Sequence, residues 1–296
     1  MDESDLDGGE LDDPENLIKP TQQSLDVIVS DVRSVRVCRW QREGDYLRPS
    51  AVLTIDQGPR VRELLDLLAI VESDDFFHCM CVGSLIVELV AREGVVATLT
   101  VHHGLSIRWD GAWGSDAMLR NGWSLARWLA DEGVTSLLEE MEEAEREAAR
   151  HSKLLTAWCE AMPACVRTLY EPATEWQEDE PIEPMIASLQ SEYRTDQQLA
   201  LSLCEWHGTL GSEWGWYYAF ETLVERLLNH LGADRVVRAL QDAALNRRQA
   251  EGAARYLVSS ARLGDLSLGA TEVLRACRAA LDDPNKAETI RRLVGD

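Results

Sequence analysis

The chain has 296 residues, a length that fits one large domain or two of ordinary size. Hydrophobic residues make up 45% of it, which excludes a chain that is disordered throughout. Its 52 acidic and 29 basic residues give a formal net charge of -23. This charge excludes non-specific nucleic-acid binding, which needs lysine and arginine against phosphate, and it fits a protein partner with a basic surface.

The cysteines and the apolar runs indicate a compartment. Residues 1–15 lack the basic and apolar regions of a secretory signal. No apolar run approaches the roughly 20 residues that a membrane helix needs. The seven cysteines are an odd number, and several lie in apolar helical patterns, which indicates reduced thiols. We therefore expect a cytoplasmic protein without membrane contact.

The first part of the chain is predicted to be an acidic arm followed by an α+β module. Residues 1–23 have few large apolar side chains, which predicts disorder, and the module covers residues 24–134. Its apolar patterns predict a mostly antiparallel sheet with two helices against one face. The predicted strands are 35–41, 50–56, 76–82, 84–91, 95–101 and 105–109, and the predicted helices are 60–71 and 115–129.

Residues 135–296 are predicted to be all-α, with an acidic, proline-containing linker at 171–184. Short helices alternate with tight polar turns from Asp234 onward, and small residues let the helices approach closely. A HEAT-like repeat array and a plain helical bundle both fit this pattern. The predicted helices are 137–162, 164–170, 185–206, 213–231, 234–244, 250–261, 267–281 and 286–294.

Cys79 and Cys81 give the sharpest chemical signal. On a strand they share one face, so with His102 or His103 from a nearby strand they can hold zinc. However, residues i and i+2 of a strand lie about 7 Å apart, which suits zinc poorly. A Cys-His nucleophile is a second alternative, but an apolar strand raises a thiol pKa. The pattern therefore favours two small, buried core residues and no cofactor.

A polar group follows at the end of the predicted sheet. Adjacent histidines on a strand face opposite ways, so only one of His102 and His103 can join a given site. Arg108 and Asp110 share a face and can pair, and two tryptophans can add an amphipathic surface. The alternative is a hydrogen-bonded sheet corner that leads into a helix capped at Ser115 and Asp116. The candidate binding residues are His102, His103, Arg108, Trp109, Asp110, Trp113 and Asp116.

One string resembles a module of uncharacterised bacterial proteins that often carry HEAT-like repeats. The string comprises residues 79–83, 99–109 and 115–117, and its specific part is His-His-Gly-x-Ser-Ile-Arg-Trp, from His102 to Trp109. The resemblance covers residues 76–134. It implies a bacterial origin and a helical-repeat partner region, and no activity.

These patterns predict a cytosolic interaction or regulatory scaffold, in defence or stress response. The chain lacks the phosphate-binding loop, the dinucleotide fingerprint, the His-Glu-x-x-His motif and the Gly-x-Ser-x-Gly elbow. The alternative is a metal-dependent or thiol enzyme centred on Cys79, Cys81 and His102 or His103, with zinc as its metal. A third hypothesis is that the acidic arm, residues 1–23, imitates nucleic acid.

Overall fold

The structure, a computed structural model, describes residues 17–44, 46–170, 182–211, 214, 218–261 and 267–295. The chain divides into two units, Met1–Ala148 and Ala149–Asp296. Each unit has its own cluster of buried apolar side chains. All the strands described lie in the first unit, and helices build the second. The predicted α+β class, with an antiparallel sheet followed by a helical region, is confirmed.

Seven strands form one sheet in the described part of the first unit, in the order β2-β1-β4-β5-β6-β7-β3. Every neighbouring pair is antiparallel. The short strands β3 and β7 were not predicted, since β3 lies in the expected helix 60–71 and β7 in the expected helix 115–129. The strands are β1 (Ser34–Glu43), β2 (Tyr46–Ile55), β3 (Ile70–Val71), β4 (Leu85–Ala91), β5 (Gly94–His102), β6 (Ser106–Trp109) and β7 (Ala117–Leu119).

Three helices accompany the sheet: α1 (Gln22–Val29), α2 (Gly58–Leu67) and α3 (Gly122–Asp131). Only the last two were predicted. The Thr21 side chain caps α1, and Ile18 pairs with Trp113. Residues from Leu17 onward therefore belong to the folded unit, although the predicted arm extends to residue 23. Most of the predicted arm, residues 1–16, lies outside the described residues.

Alternation along the strands gives the sheet two different faces. Val35, Leu99 and Ile107 are buried with apolar residues of the three helices in one core. Burial of such side chains contributes roughly 1.5–3 kcal/mol each. The intervening residues on the opposite face include Thr100, which pairs with Arg108 across β5 and β6. This second face is polar, and a loop covers it.

The covering loop comprises residues 72–84, which we call the site loop. Its middle was predicted as a strand at 76–82, and this prediction is wrong: no strand is formed there. Phe76 and Met80 are exposed rather than buried, so their apolar character does not mark a core strand. Gly83 ends the loop with φ +83°, and a Cβ there would lie 2.1 Å from Thr100 Cγ2. The loop therefore lies directly on the polar face.

The second unit is helical throughout its described part. The predicted helix 185–206 is in fact two helices, because the chain breaks before Thr195, which caps α7. The predicted linker 171–184 ends earlier, since α6 begins at Ile182; residues 171–181 are outside the described ranges. No HEAT-like repeat is confirmed. The helices are α4 (Ser136–Ala161), α5 (Ala164–Arg167), α6 (Ile182–Glu192), α7 (Asp196–His207), α8 (Thr222–Leu231), α9 (Ala233–Leu240), α10 (Arg247–Ala261), α11 (Leu268–Ala280) and α12 (Pro284–Val294).

None of the helices in the described ranges combines the length and the apolar composition that a membrane span requires.

Candidate metal site

Three potential metal ligands meet where the site loop crosses the end of β5. The Cys79 and Cys81 sulfurs are 3.0 Å apart, and the Cys81 sulfur is 3.1 Å from His102 Nδ1. One ligand atom from each residue lies within 4.8 Å of the other two. Within the described residues this is the one such cluster of histidine, cysteine and carboxylate groups. The prediction that both thiols are core filling is wrong, because both are only partly buried.

A buried ion pair fixes the backbone of Cys79. Arg108 Nε donates to Asp116 Oδ1 at 2.7 Å, and the Asp116 side chain is fully buried. Asp116 Oδ2 accepts from the Cys79 backbone N–H at 2.9 Å, and an Arg108 NH2 group donates to the Cys79 carbonyl oxygen. Both polar groups of the Cys79 backbone are thus held by one ion pair. This arrangement positions the first sulfur without using its side chain.

Pairing between β5 and β6 positions His102. The strand β5 ends at this residue, which pairs with Ser106 of β6 and is only 1% exposed. Its Nδ1 faces the Cys81 sulfur, whereas its Nε2 has no hydrogen-bond partner within the part of the chain that the structure describes. Packing therefore sets the orientation of this ring. Nδ1 is therefore the ring nitrogen that faces the sulfurs, while Nε2 lacks the hydrogen-bond acceptor that a metal-binding histidine usually has.

The neighbouring His103 also lies at the site, although the sequence predicted that only one of the two histidines would join it. Its φ of +53° lies in the left-handed region, so the alternation of the strand ends before it. The ring Nδ1 lies 2.7 Å from Glu140 Oε1, and the side chain lies near enough to Cys79 for that residue to affect its pKa. The expectation that only one of the two histidines can join the site is therefore wrong. Glu140 itself was missed, because the acidic run of α4 indicates a favourable helix dipole and nothing more.

The ionisation of Cys79 and His102 suits metal binding, whereas that of Cys81 and His103 does not. A hydrogen bond with Cys81 lowers the pKa of the Cys79 thiol. Burial and the neighbouring Cys79 raise the pKa of Cys81. Burial lowers the pKa of His102, and the contact with Glu140 raises that of His103. A thiolate and a neutral imidazole are the forms that bind metals.

The cluster opens onto a groove of about 400 Å³ in the first unit. Cys79, His102 and His103 line it together with apolar and hydroxyl side chains. No lysine or arginine is among the described lining residues. The lining includes the carboxylates of Asp75 and Asp116, so its charge favours water and uncharged or cationic molecules over anions.

The remaining predicted binding residues lie elsewhere or have other partners. Arg108 forms the predicted pair with Asp110 at 3.9 Å, but its closer partner is Asp116 at 2.7 Å, which the sequence did not indicate. Asp116 does not cap a helix, because α3 begins at Gly122. Trp113 is buried and makes an edge-to-face contact with Trp109, which packs against the same core. The two tryptophans are therefore part of the core and do not form the predicted amphipathic surface.

The chain was compared with known proteins. No protein-family model, no curated protein and no solved structure matches it. The site must therefore be interpreted from its own geometry.

Proposed function

We propose that the first unit binds one zinc ion through Cys79, Cys81 and His102. The observation that carries the proposal is the convergence of two sulfurs and one imidazole nitrogen within 4.8 Å. The buried pair of Arg108 and Asp116 supports it, since it holds the backbone of one ligand residue. Such preorganisation reduces the entropy that metal binding would otherwise cost.

The donor set favours zinc among the common metal ions. Two thiolates and an imidazole suit a tetrahedral, borderline-soft ion, whereas magnesium and calcium require oxygen ligands. A zinc ion with Zn–S bonds of about 2.3 Å would place the sulfurs about 3.8 Å apart. The observed 3.0 Å requires each side chain to move by less than about 1 Å. Met80 is 94% exposed, so its thioether adds nothing to a softer, copper-type set.

The metal content of the purified full-length protein tests this proposal. We expect one equivalent of zinc, lost in Cys81→Ser and kept in Cys159→Ser, because Cys159 is a partly buried free thiol of α4 outside the cluster. The measurement is elemental analysis together with competition against a chromophoric chelator. A wild-type protein that takes up no zinc, or a Cys81→Ser variant that binds it as tightly as wild type, would contradict the proposal.

We further propose that the bound ion orders the site loop for contact with a partner protein. Phe76, Met80 and Val82 flank the cysteines and expose their apolar side chains. Contiguous exposed apolar patches mark interaction sites, whereas single exposed apolar side chains are common on any protein surface. The chemistry of the partner follows from this loop and from the charge of -23: an apolar contact bordered by basic residues.

Replacing Met80 tests the partner proposal separately from the zinc proposal. We expect Met80→Asp to keep its zinc, because the side chain points away from the ligands, and to lose the partner. The proteins retained by zinc-loaded wild type and by zinc-loaded Met80→Asp are compared directly. An identical set from both would contradict a contact through the site loop.

A thiol enzyme is a second candidate, favoured by one observation. His103 contacts Glu140 at 2.7 Å and lowers the pKa of the nearby Cys79 thiol, so the three residues follow the order of a nucleophile, a base and an orienting carboxylate. The two functions predict opposite effects of His103→Gly on the alkylation of Cys79 by iodoacetamide. In a thiol enzyme, removing the His103 base slows alkylation of Cys79. In a zinc site, removing a side chain that helps to hold the ion frees Cys79 and accelerates its alkylation.

A further inference from the structure

The turn between β5 and β6 contains an unusual residue. Leu105 N–H donates to the His102 carbonyl, and both central residues, His103 and Gly104, have positive φ. Turns of this geometry prefer asparagine, aspartate or glycine at the first central position, because most other residues disfavour positive φ. His103 is the one residue other than glycine with positive φ in the described ranges. Histidine is among the side chains that tolerate positive φ, so the turn permits His103 and its side-chain contacts indicate its role.

The contacts of His103 are those of a metal ligand. Its Nδ1 lies 2.7 Å from Glu140 Oε1, a contact that places the proton on Nδ1 and leaves the lone pair on Nε2. Metal-binding histidines characteristically donate their other ring N–H to a carboxylate, which fixes both tautomer and orientation. The ring lines the same groove as Cys79 and His102 and lies near enough to Cys79 to affect the pKa of its thiol. It lies outside the cluster of ligand atoms within 4.8 Å of one another, so it must turn toward the ion when the site is loaded.

We infer that His103 supplies the fourth zinc ligand, and that Glu140 positions it. This inference rests on the proposed zinc site and completes it as a set of two sulfurs and two nitrogens. His102 and His103 then bind through different ring nitrogens, Nδ1 and Nε2. Because four protein ligands close a tetrahedral site, the ion has no position for a substrate, and its role is to hold the site loop against the sheet.

The full-length protein loaded with Co²⁺ in place of zinc tests the inference, since the visible absorption of Co²⁺ reports its ligands. His103→Gly is the central variant, because glycine suits φ +53° and the fold is preserved. We expect this variant to bind zinc at least about 100-fold more weakly, and Glu140→Gln about 10- to 100-fold more weakly. Added imidazole restores the wild-type Co²⁺ spectrum of His103→Gly and leaves that of wild type unchanged.

The outcomes separate this inference from the zinc proposal. Weaker binding in His103→Gly with rescue by imidazole supports the fourth ligand. If His103→Gly binds zinc as tightly as wild type, or if imidazole alters the wild-type spectrum, the fourth position is open and the inference is wrong, although Cys79, Cys81 and His102 still hold the ion. A wild-type protein that binds neither metal overturns both. A urea-unfolding curve of metal-free His103→Gly confirms that the variant is folded.

Discussion

At the residue scale, the most consequential contact is that between Arg108 and Asp116. The Asp116 side chain is fully buried and the Arg108 side chain is 13% exposed, so neither charge is stable there without the other. Removing one partner of a buried pair commonly costs about 3–5 kcal/mol. Here the same two residues also hold the backbone of Cys79. Their loss would release a metal ligand as well as destabilise the first unit.

The second unit contains a residue whose ionisation links stability to pH. His207 is buried at the end of α7, and burial lowers its pKa to about 3 from an ordinary value of 6.5. The nearby charge of Arg255 acts in the same direction. Below pH 6.5 the unfolded chain therefore binds a proton that the folded chain does not. This contribution to stability is fully present above pH 6.5 and is lost as the pH falls toward 3.

We predict that His207→Gln reduces the pH dependence of the free energy of unfolding of the second unit. Over the acidic range this histidine contributes a slope of up to about 1.4 kcal/mol per pH unit. The difference between the wild-type and variant curves should therefore shrink as the pH is lowered from neutrality. Urea unfolding at a series of pH values measures it, and the acidic residues common to both proteins cancel. Parallel curves would show that His207 does not titrate in this way.

Individual site residues were visible in the sequence, but their partners were not. Cys79, Cys81 and His102 were named as a possible zinc site because their residue types suit it. The contact of Asp116 with Cys79 depends on where the loop lies, and no local pattern records that. Glu140 reaches His103 from a helix 37 residues further along the chain, so its role required the fold.

At the element scale, the site loop is held where its glycine meets the sheet. Gly83 has positive φ and lies against Thr100 of β5. Trp40 Nε1 donates to the neighbouring Val82 carbonyl at 2.8 Å, and Ser84 N–H donates to the Val101 carbonyl at 2.7 Å. These contacts set the height of the loop above the polar face, and therefore the position of Cys81 relative to His102.

We predict that Gly83→Ala destabilises the first unit more than Gly44→Ala does. Both glycines have positive φ, so both substitutions cost about 1–3 kcal/mol of backbone strain. Only the Gly83 Cβ would overlap a neighbour, since no atom lies within 4 Å of one at Gly44. The overlap adds about 1–3 kcal/mol. Chemical unfolding measures the difference, and chelator competition should show weaker zinc binding in Gly83→Ala alone. Equal losses in the two variants would contradict the close approach.

The longer elements were predictable, and the errors have physical reasons. The strands β1, β4 and β5 and the helix α4 follow clear apolar periodicities, so the sequence located them well. The false strand at 76–82 arose because exposed apolar side chains imitate a buried strand. The helix α1 was missed, although Thr21 provides an N-cap, because it is short and three of its apolar residues, at 27–29, are consecutive and β-branched, which hides a helical period. Thr195 is an N-cap residue and so indicates the start of α7, but the apolar pattern on both sides of it fits one longer helix.

At the scale of the whole molecule, the two units have separate hydrophobic cores. The core of the first contains the strands with α1, α2 and α3, and that of the second contains α6 to α12. All residues of the metal site lie in the first unit. A ligand that binds one folded unit stabilises that unit by mass action.

We predict that zinc protects the first unit against unfolding and leaves the second unchanged. At a free concentration of about 100 times the dissociation constant, the gain is about 2.7 kcal/mol. Hydrogen exchange read by mass spectrometry, with zinc or with a chelator, assigns the protection to peptides of each unit. Cys81→Ser is the control and should show no response. Equal protection of peptides from both units would contradict a site confined to the first.

The sequence indicated an α+β part followed by a helical part, because apolar spacing changes from alternation to helical periodicity along the chain. The sequence did not locate the boundary between the two units. That boundary lies between Ala148 and Ala149, inside the continuous helix α4, where the apolar pattern does not change. The choice between a repeat array and a bundle depends on which helices touch. Here α10 packs against α7 as well as α11, a set of contacts that spacing alone does not specify.

Met80 stands between the two sulfur ligands, yet its side chain faces outward. Under the proposed function, a substitution at this one position alters the partner contact and leaves the zinc ligands intact. Recognition can then diverge through a single codon. The cysteines on either side have no such freedom.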